Sequence, residues 1–267
     1  DHAPQGATIA RIGGDEFVLL FPVGEIPRPA GELASTIIAA IANPDPELNS
    51  VQVGASIGIY QSEKPRLTEM LLKADFALYA AKRGGRNEYC LFDAGLDSAL
   101  ERKNRVERDL RAAIEAGALC CWFQPLVRLD TNSVVGFEAL LRWHHDVHGA
   151  ISPPEIVNAA RETGLLSLLT ETVFFNCCAM IGELVRNGRR DVRVAMNLSP
   201  RELEAGNVDD MILHGLKAKD VPAAMLEIEI TEEAPVDRDR VGEKVGRLAD
   251  AGISIVLDDF GTGFSTL

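Results

Sequence analysis

At 267 residues, 46% hydrophobic and 25% charged, the chain has the composition of a soluble globular protein with room for one large or two small domains. Its net charge of −13 speaks against a nucleic-acid polymer as partner, because phosphate contacts need clustered Lys and Arg, and leaves room for a small anionic ligand neutralised by metal ions. No run approaches the roughly 20 apolar residues of a membrane span and no signal peptide is visible, so a cytoplasmic segment is expected, with an anchor elsewhere in a longer parent left open.

In chain order, TIARI (8–12), the GGDE turn (13–16) and FVLLF (17–21) read as a hairpin. A helix follows over 30–42, where Leu33, Ile37, Ile38 and Ile41 share a face ahead of Pro44 and Pro46. VQVGASIGIY (51–60) reads as a strand, and Leu67, Met70, Leu71, Ala74 and Leu78 recur at helical spacing up to a Gly84-Gly85 stop. Leu100, Val106, Leu110 and Ile114 mark an amphipathic linker helix ending at Gly117, after which apolar strands alternate with helices, two of them near 153–163 and 167–187. The five cysteines include the adjacent pairs Cys120-Cys121 and Cys177-Cys178 but no CxxC, which points to buried reduced thiols and not to a metal site.

The second half places oxygen-bearing side chains at the ends of apolar strands. VVGFE ends in Glu138, VRVAMN in Asn197, LEIE in Glu229, and ISIVLDD in Asp258 and Asp259. Asn197 to Glu229 and Glu229 to Asp258 are separated by 32 and 29 positions, near the length of a βα unit. In a parallel barrel all strand C-termini open on one face, where TIM-barrel active sites are built. So many converging carboxylates repel unless cations bridge them, and oxygen donors suit hard ions such as Mg²⁺ or Mn²⁺. Each carboxylate taken alone also reads as a solvated strand end or helix cap. Arg142, in EALLRW, shares a strand face with Glu138 and can present its guanidinium to a phosphate, and Gln124 in WFQP adds a polar group.

FQP (123–125), FEALLRW (137–143), NLSP (197–200), LEIEITE (226–232) and DDFGTGFSTL (258–267) resemble, in order and spacing, the motifs of EAL-type cyclic di-GMP phosphodiesterases. The resemblance implies hydrolysis of cyclic di-GMP to linear pGpG by a metal-activated water. It makes Glu138, Asn197, Glu229, Asp258 and Asp259 metal ligands, with Glu138, Asp258 and Asp259 the catalytic set. By the same resemblance Gln124 and Arg142 contact the dinucleotide. Glu232 braces a loop in which Gly261, Thr262 and Gly263 couple the metals to a partner subunit in a homodimer. The chain departs from the family at Arg161, where a Glu is usual, with an effect expected on packing or surface charge.

RIGGDEF (11–17), ASIGIY (55–60) and ADFALYAAKRGGRN (74–87) resemble the second half of a diguanylate cyclase GGDEF domain. That resemblance makes Asp15 a metal ligand assisted by Glu16, with Gly13 and Gly14 bordering GTP. The family's RxxD feedback motif would occupy positions 4–7, which read Pro4, Gln5, Gly6 and Ala7, so product inhibition there is not expected. His144, His145, Asp146 and His148 superficially suggest zinc but read as a solvated loop before Pro153.

The expected fold class is α/β: the end of a nucleotidyl-cyclase-like α/β domain (1–94), a linker helix (95–117) and an incomplete TIM-type barrel (118–267). The segment from residue 105 onward falls short of the roughly 250 residues of a full barrel, and the family's catalytic Lys, a further Glu and a late Gln lie beyond the aspartate pair. A chain ending at Leu267 is therefore expected to be inactive, while its parent is expected to be a cyclic di-GMP phosphodiesterase. A non-catalytic cyclic di-GMP or GTP receptor, and a protein acting mainly as a cyclase, are the alternatives.

Overall fold

The computed structural model describes residues 3–4, 6–22, 24, 29–42, 53–64, 66–231 and 237–258. The chain divides into two compact units, Asp1–Arg102 and Lys103–Leu267.

In the first unit, β1 (Thr8–Gly13) and β2 (Glu16–Leu20) form an antiparallel hairpin in register Thr8↔Leu20 to Gly13↔Glu16, which leaves Gly14 and Asp15 as its turn. Helix α1 (Ala30–Ala42) buries Leu33 and Ile38. Strand β3 (Ile57–Ile59), helix α2 (Leu67–Gly84) and β4 (Tyr89–Leu91) make a βαβ unit with parallel strands. Of the strand expected over 51–60, the described residues from 53 onward form only β3. Ahead of it the Ala55 N–H is taken by the Asn87 side-chain oxygen (3.3 Å) instead of a neighbouring strand. Gly58 lets β3 lie directly on α2, since a Cβ there would meet the Ala74 carbonyl oxygen at 2.0 Å.

Helix α3 (Ala94–Glu115) runs from the first unit into the second. In the second unit its Val106, Leu110 and Ile114 pack with Leu141, Trp143, Ile151, Ile156, Leu165 and Leu169. The chain continues through β5 (Leu119–Val127), β6 (Val134–His145), β7 (Gly149–Ile151), α4 (Pro153–Glu162), α5 (Leu166–Arg186) and β8 (Arg193–Leu198). Then come α6 (Pro200–Ala205), α7 (Val208–Ala218), β9 (Leu226–Thr231), α8 (Arg238–Asp250) and β10 (Ser254–Asp258). The sheet order is β10-β9-β8-β6-β5, with β7 paired to β6.

Strands β6, β8, β9 and β10 are parallel, as a TIM-type barrel requires, but β5 runs antiparallel to β6. Residues 128–133 between them allow only a tight return, because a parallel pair needs a crossover of a dozen residues or more. Alternation then sorts the side chains. Val194, Met196, Leu198, Leu226, Ile228 and Ile230 are buried in one core with Phe174, Cys177 and Ile181 of α5 and Ile212 and Leu216 of α7. The intervening Arg193, Ala195, Asn197, Glu227 and Glu229 belong to the opposite face, that of the barrel interior.

Contrary to the sequence reading, α5 has the length and apolarity to cross a membrane. Its Phe174, Cys177 and Ile181 are fully buried against the sheet, which accounts for that composition. Burial likewise pushes the Cys177 thiol well above its ordinary range and Cys121 up to about 12, in keeping with inert structural thiols.

Candidate active site

Strand register sets the site. Gln124 of β5 lies opposite Glu138 of β6, and Glu138 is paired with Ala195, two residues before Asn197 on β8. Asn197 is paired with Glu229 on β9, and Glu229 with Val256, two residues before Asp258 on β10. Gln124, Glu138, Asn197 and Glu229 therefore share one face, and each parallel strand steps about 4.8 Å to the next. The Asn197 amide donates to the Glu138 carboxylate (Nδ2 to Oε1, 2.9 Å), which fixes the two against each other across β6 and β8.

Among the described residues no three His, Cys, Asp or Glu side chains gather closely enough to hold a metal. The array brings together two carboxylates, Glu138 and Glu229, and the Asn197 amide. Asp258 closes β10, while Asp259, Glu232, Gly261, Thr262 and Gly263 lie outside the described residues. The donor set fits a hard cation, because it is made of oxygens without sulfur or imidazole among them.

Asn197 is held by a device that the sequence reading missed. Two residues on, Ser199 caps α6, and the Glu202 carboxylate accepts from the Ser199 N–H (3.0 Å) and hydroxyl (2.6 Å) in a capping box. The same carboxylate accepts from the Thr170 hydroxyl of α5 (2.5 Å), a side chain only 5% exposed, so the strand end is fastened to the helix layer. The S-x-x-E spacing of SPRE was the available signal. Further along, Asp209 of α7 is 1% exposed and paired with Arg247 and Lys244 of α8, and Lys244 also donates to the Leu203 carbonyl (2.6 Å).

Arg142 sits four residues beyond Glu138, about 13 Å further along the strand. Its Nη1 donates to the Leu141 carbonyl (2.8 Å), and its guanidinium lies 5.2 Å from the centre of the Trp122 ring.

The histidine cluster is only partly the expected solvated loop, for Asp146 and His148 lie in the turn after β6 and His144 is exposed, but His145 is buried. His144 and His145 extend β6, and His145 is 5% exposed. Its Nδ1 accepts from the Val147 and His148 N–H groups (3.1 and 3.3 Å), which places the proton on Nε2, facing the Asp109 carboxylate at 3.2 Å. The loop reading failed for His145 because β6 continues into a hairpin with β7, which buries this ring against Trp143 and α3. Arg108 first, and His145 second, hold the Asp109 carboxyl below its usual range.

In the first unit Gly14 adopts φ +46°, and Arg11 donates twice to its carbonyl (2.8 and 2.5 Å), presenting exposed Asp15 and Glu16 at the hairpin tip. Arg161, the departure from the EAL pattern, is exposed on α4 and bonded to Asn158 (3.2 Å).

Residues 107–267 match the EAL domain family, and residues 1–88 the diguanylate cyclase, GGDEF domain family. The bifunctional diguanylate cyclase/cyclic di-GMP phosphodiesterase MucR of Pseudomonas aeruginosa is 35% identical over 264 residues, covering 97% of this chain and 38% of its own. The solved structure "PaMucR Phosphodiesterase, c-di-GMP complex" aligns with a TM-score of 0.57 at 32% identity, over 61% of this chain and 66% of its own. The Vibrio cholerae LapD S helix-GGDEF-EAL structure, bound to c-di-GMP and 17% identical, shares the fold with a TM-score of 0.65 over 98% of this chain and 62% of its own. The chain spans about a third of the length of the curated relatives it matches.

Proposed function

The chain belongs to the EAL domain family, preceded by a GGDEF domain, and from that premise we propose that the complete protein hydrolyses cyclic di-GMP to linear pGpG. The observation that carries this reading is the row of oxygen donors on one face of the parallel strands, anchored by the Asn197 to Glu138 hydrogen bond; Asn197 and Glu229 lie near the ends of β8 and β9, whereas β6 runs on from Glu138 to His145, beyond the end expected from the sequence. Glu138, Asn197, Glu229, Asp258 and Asp259 would hold Mg²⁺ or Mn²⁺, which when bound supply charge neutralisation and an activated water.

The chain's own residues orient and bind. The Asn197 amide fixes the Glu138 carboxylate, and the Ser199, Glu202 and Thr170 network keeps the end of β8 in place. Gln124 and Arg142 contact the dinucleotide on the same face, Arg142 by offsetting phosphate charge. On the GGDEF side, Gly13, Gly14, Asp15 and Glu16 form the tip that meets GTP. Glu232, Gly261, Thr262 and Gly263, which lie outside the described residues, would couple the metals to a homodimer partner, a role that rests on the family resemblance alone.

Incubating the complete protein with cyclic di-GMP, with and without Mg²⁺ or Mn²⁺, tests the proposal. Metal-dependent appearance of pGpG supports it. Tight binding without any hydrolysis would replace it with a receptor role, and synthesis from GTP without hydrolysis would replace it with a cyclase role.

A further inference from the structure

We infer that Trp122 is the platform on which one purine base of the cyclic dinucleotide stacks, with Arg142 as its clamp. The inference rests on the phosphodiesterase reading and deepens it. Trp122 lies on β5 outside both hydrophobic cores, unlike Trp143, which is 4% exposed and packs in the core. Register puts it opposite Leu140, between the Gln124 and Glu138 pair and the Cys120 and Arg142 pair, so it shares the face that carries the oxygen donors. One step of two residues, about 7 Å, separates it from the Gln124 row.

Arg142 is the diagonal neighbour of Trp122 across the ladder, and its guanidinium stands 5.2 Å from the indole centroid. The hydrogen bond to the Leu141 carbonyl holds that guanidinium in place. A cation over one face of the ring stiffens the indole and leaves its other face to a second flat partner. The partner fitting an indole beside a cation is a nucleobase whose phosphate lies within reach of the cation. Stacking of this kind accepts any purine, so Trp122 sets affinity and leaves base identity to groups such as Gln124.

Trp122→Ala and Trp122→Phe in the complete protein test the inference, with kcat and KM for cyclic di-GMP and ligand-induced quenching of indole fluorescence as readouts. The other tryptophan of this chain, Trp143, is 4% exposed and lies in the core, so quenching that disappears in both variants reports on Trp122. Loss of one base stack is expected to raise KM about tenfold in Trp122→Ala with kcat within about twofold, and Trp122→Phe is expected to recover most of that KM. An unchanged KM in Trp122→Ala, or quenching in both variants undiminished from that of the wild type while the wild type still cleaves, overturns the platform and leaves the phosphodiesterase standing. A wild type that neither binds nor cleaves cyclic di-GMP overturns both.

Discussion

Replacing Glu202 tests whether the end of β8 is held as the geometry indicates. The carboxylate accepts three hydrogen bonds, from the Ser199 N–H, the Ser199 hydroxyl and the Thr170 hydroxyl. In Glu202→Ala the Thr170 hydroxyl can turn its single proton to the Leu166 carbonyl, 2.9 Å away, and Ser199 still caps the backbone N–H of residue 202. The Ser199 N–H keeps nothing among these partners. An orphaned donor in a part-buried position costs about 1–3 kcal/mol, and the loss of charge-assisted bonds at the hydroxyls brings the expected cost to about 2 kcal/mol. Glu202→Gln retains a carbonyl acceptor, an accepted capping-box residue, and is expected to lose about 1 kcal/mol or less. Urea unfolding of the complete protein followed by circular dichroism measures both. A loss below about 0.5 kcal/mol in Glu202→Ala, or equal losses in the two variants, would refute the reasoning.

Two further predictions concern charge. Asp209→Ala strips the buried partner from Lys244 and Arg247. Arg247 is 46% exposed and Lys244 keeps the Leu203 carbonyl, so the same unfolding assay is expected to show about 2–3 kcal/mol, below the full cost of breaking a buried pair. Asp109 has its folded pKa depressed, by Arg108 first and His145 second, so its contribution is present above the unfolded value near about 4 and is lost as pH falls through the folded value. Asp109→Asn is therefore expected to be less stable than wild type at neutral pH and to converge with it in acid, as thermal melts across pH would show.

The shared face was legible because period-two alternation follows from chemistry alone, although β6 does not end at Glu138 as expected but continues to His145. Glu138, Asn197 and Glu229 fall on one face in the structure for that reason. What the sequence left unread depended on partners distant in the chain or on connections too short to notice. The direction of β5 turned on the tight return at residues 128–133, and β4 was too brief to show a period. Burial of His145 required Asp109, 36 positions away, and Asp209 met Arg247 at a separation of 38. Trp122 passed as part of an apolar strand, because exposure of one face is a tertiary property.

The central claim is that the strand-end oxygens hold the cations that hydrolysis requires. Calorimetric titration of Mn²⁺ into the complete protein and its Glu229→Gln variant, alongside pGpG formation, tests it most directly. Losing a ligand should cost at least the roughly 10- to 100-fold in affinity typical of residues that merely support a ligand, with turnover falling in step. Unchanged Mn²⁺ affinity together with unchanged turnover in Glu229→Gln would contradict the account.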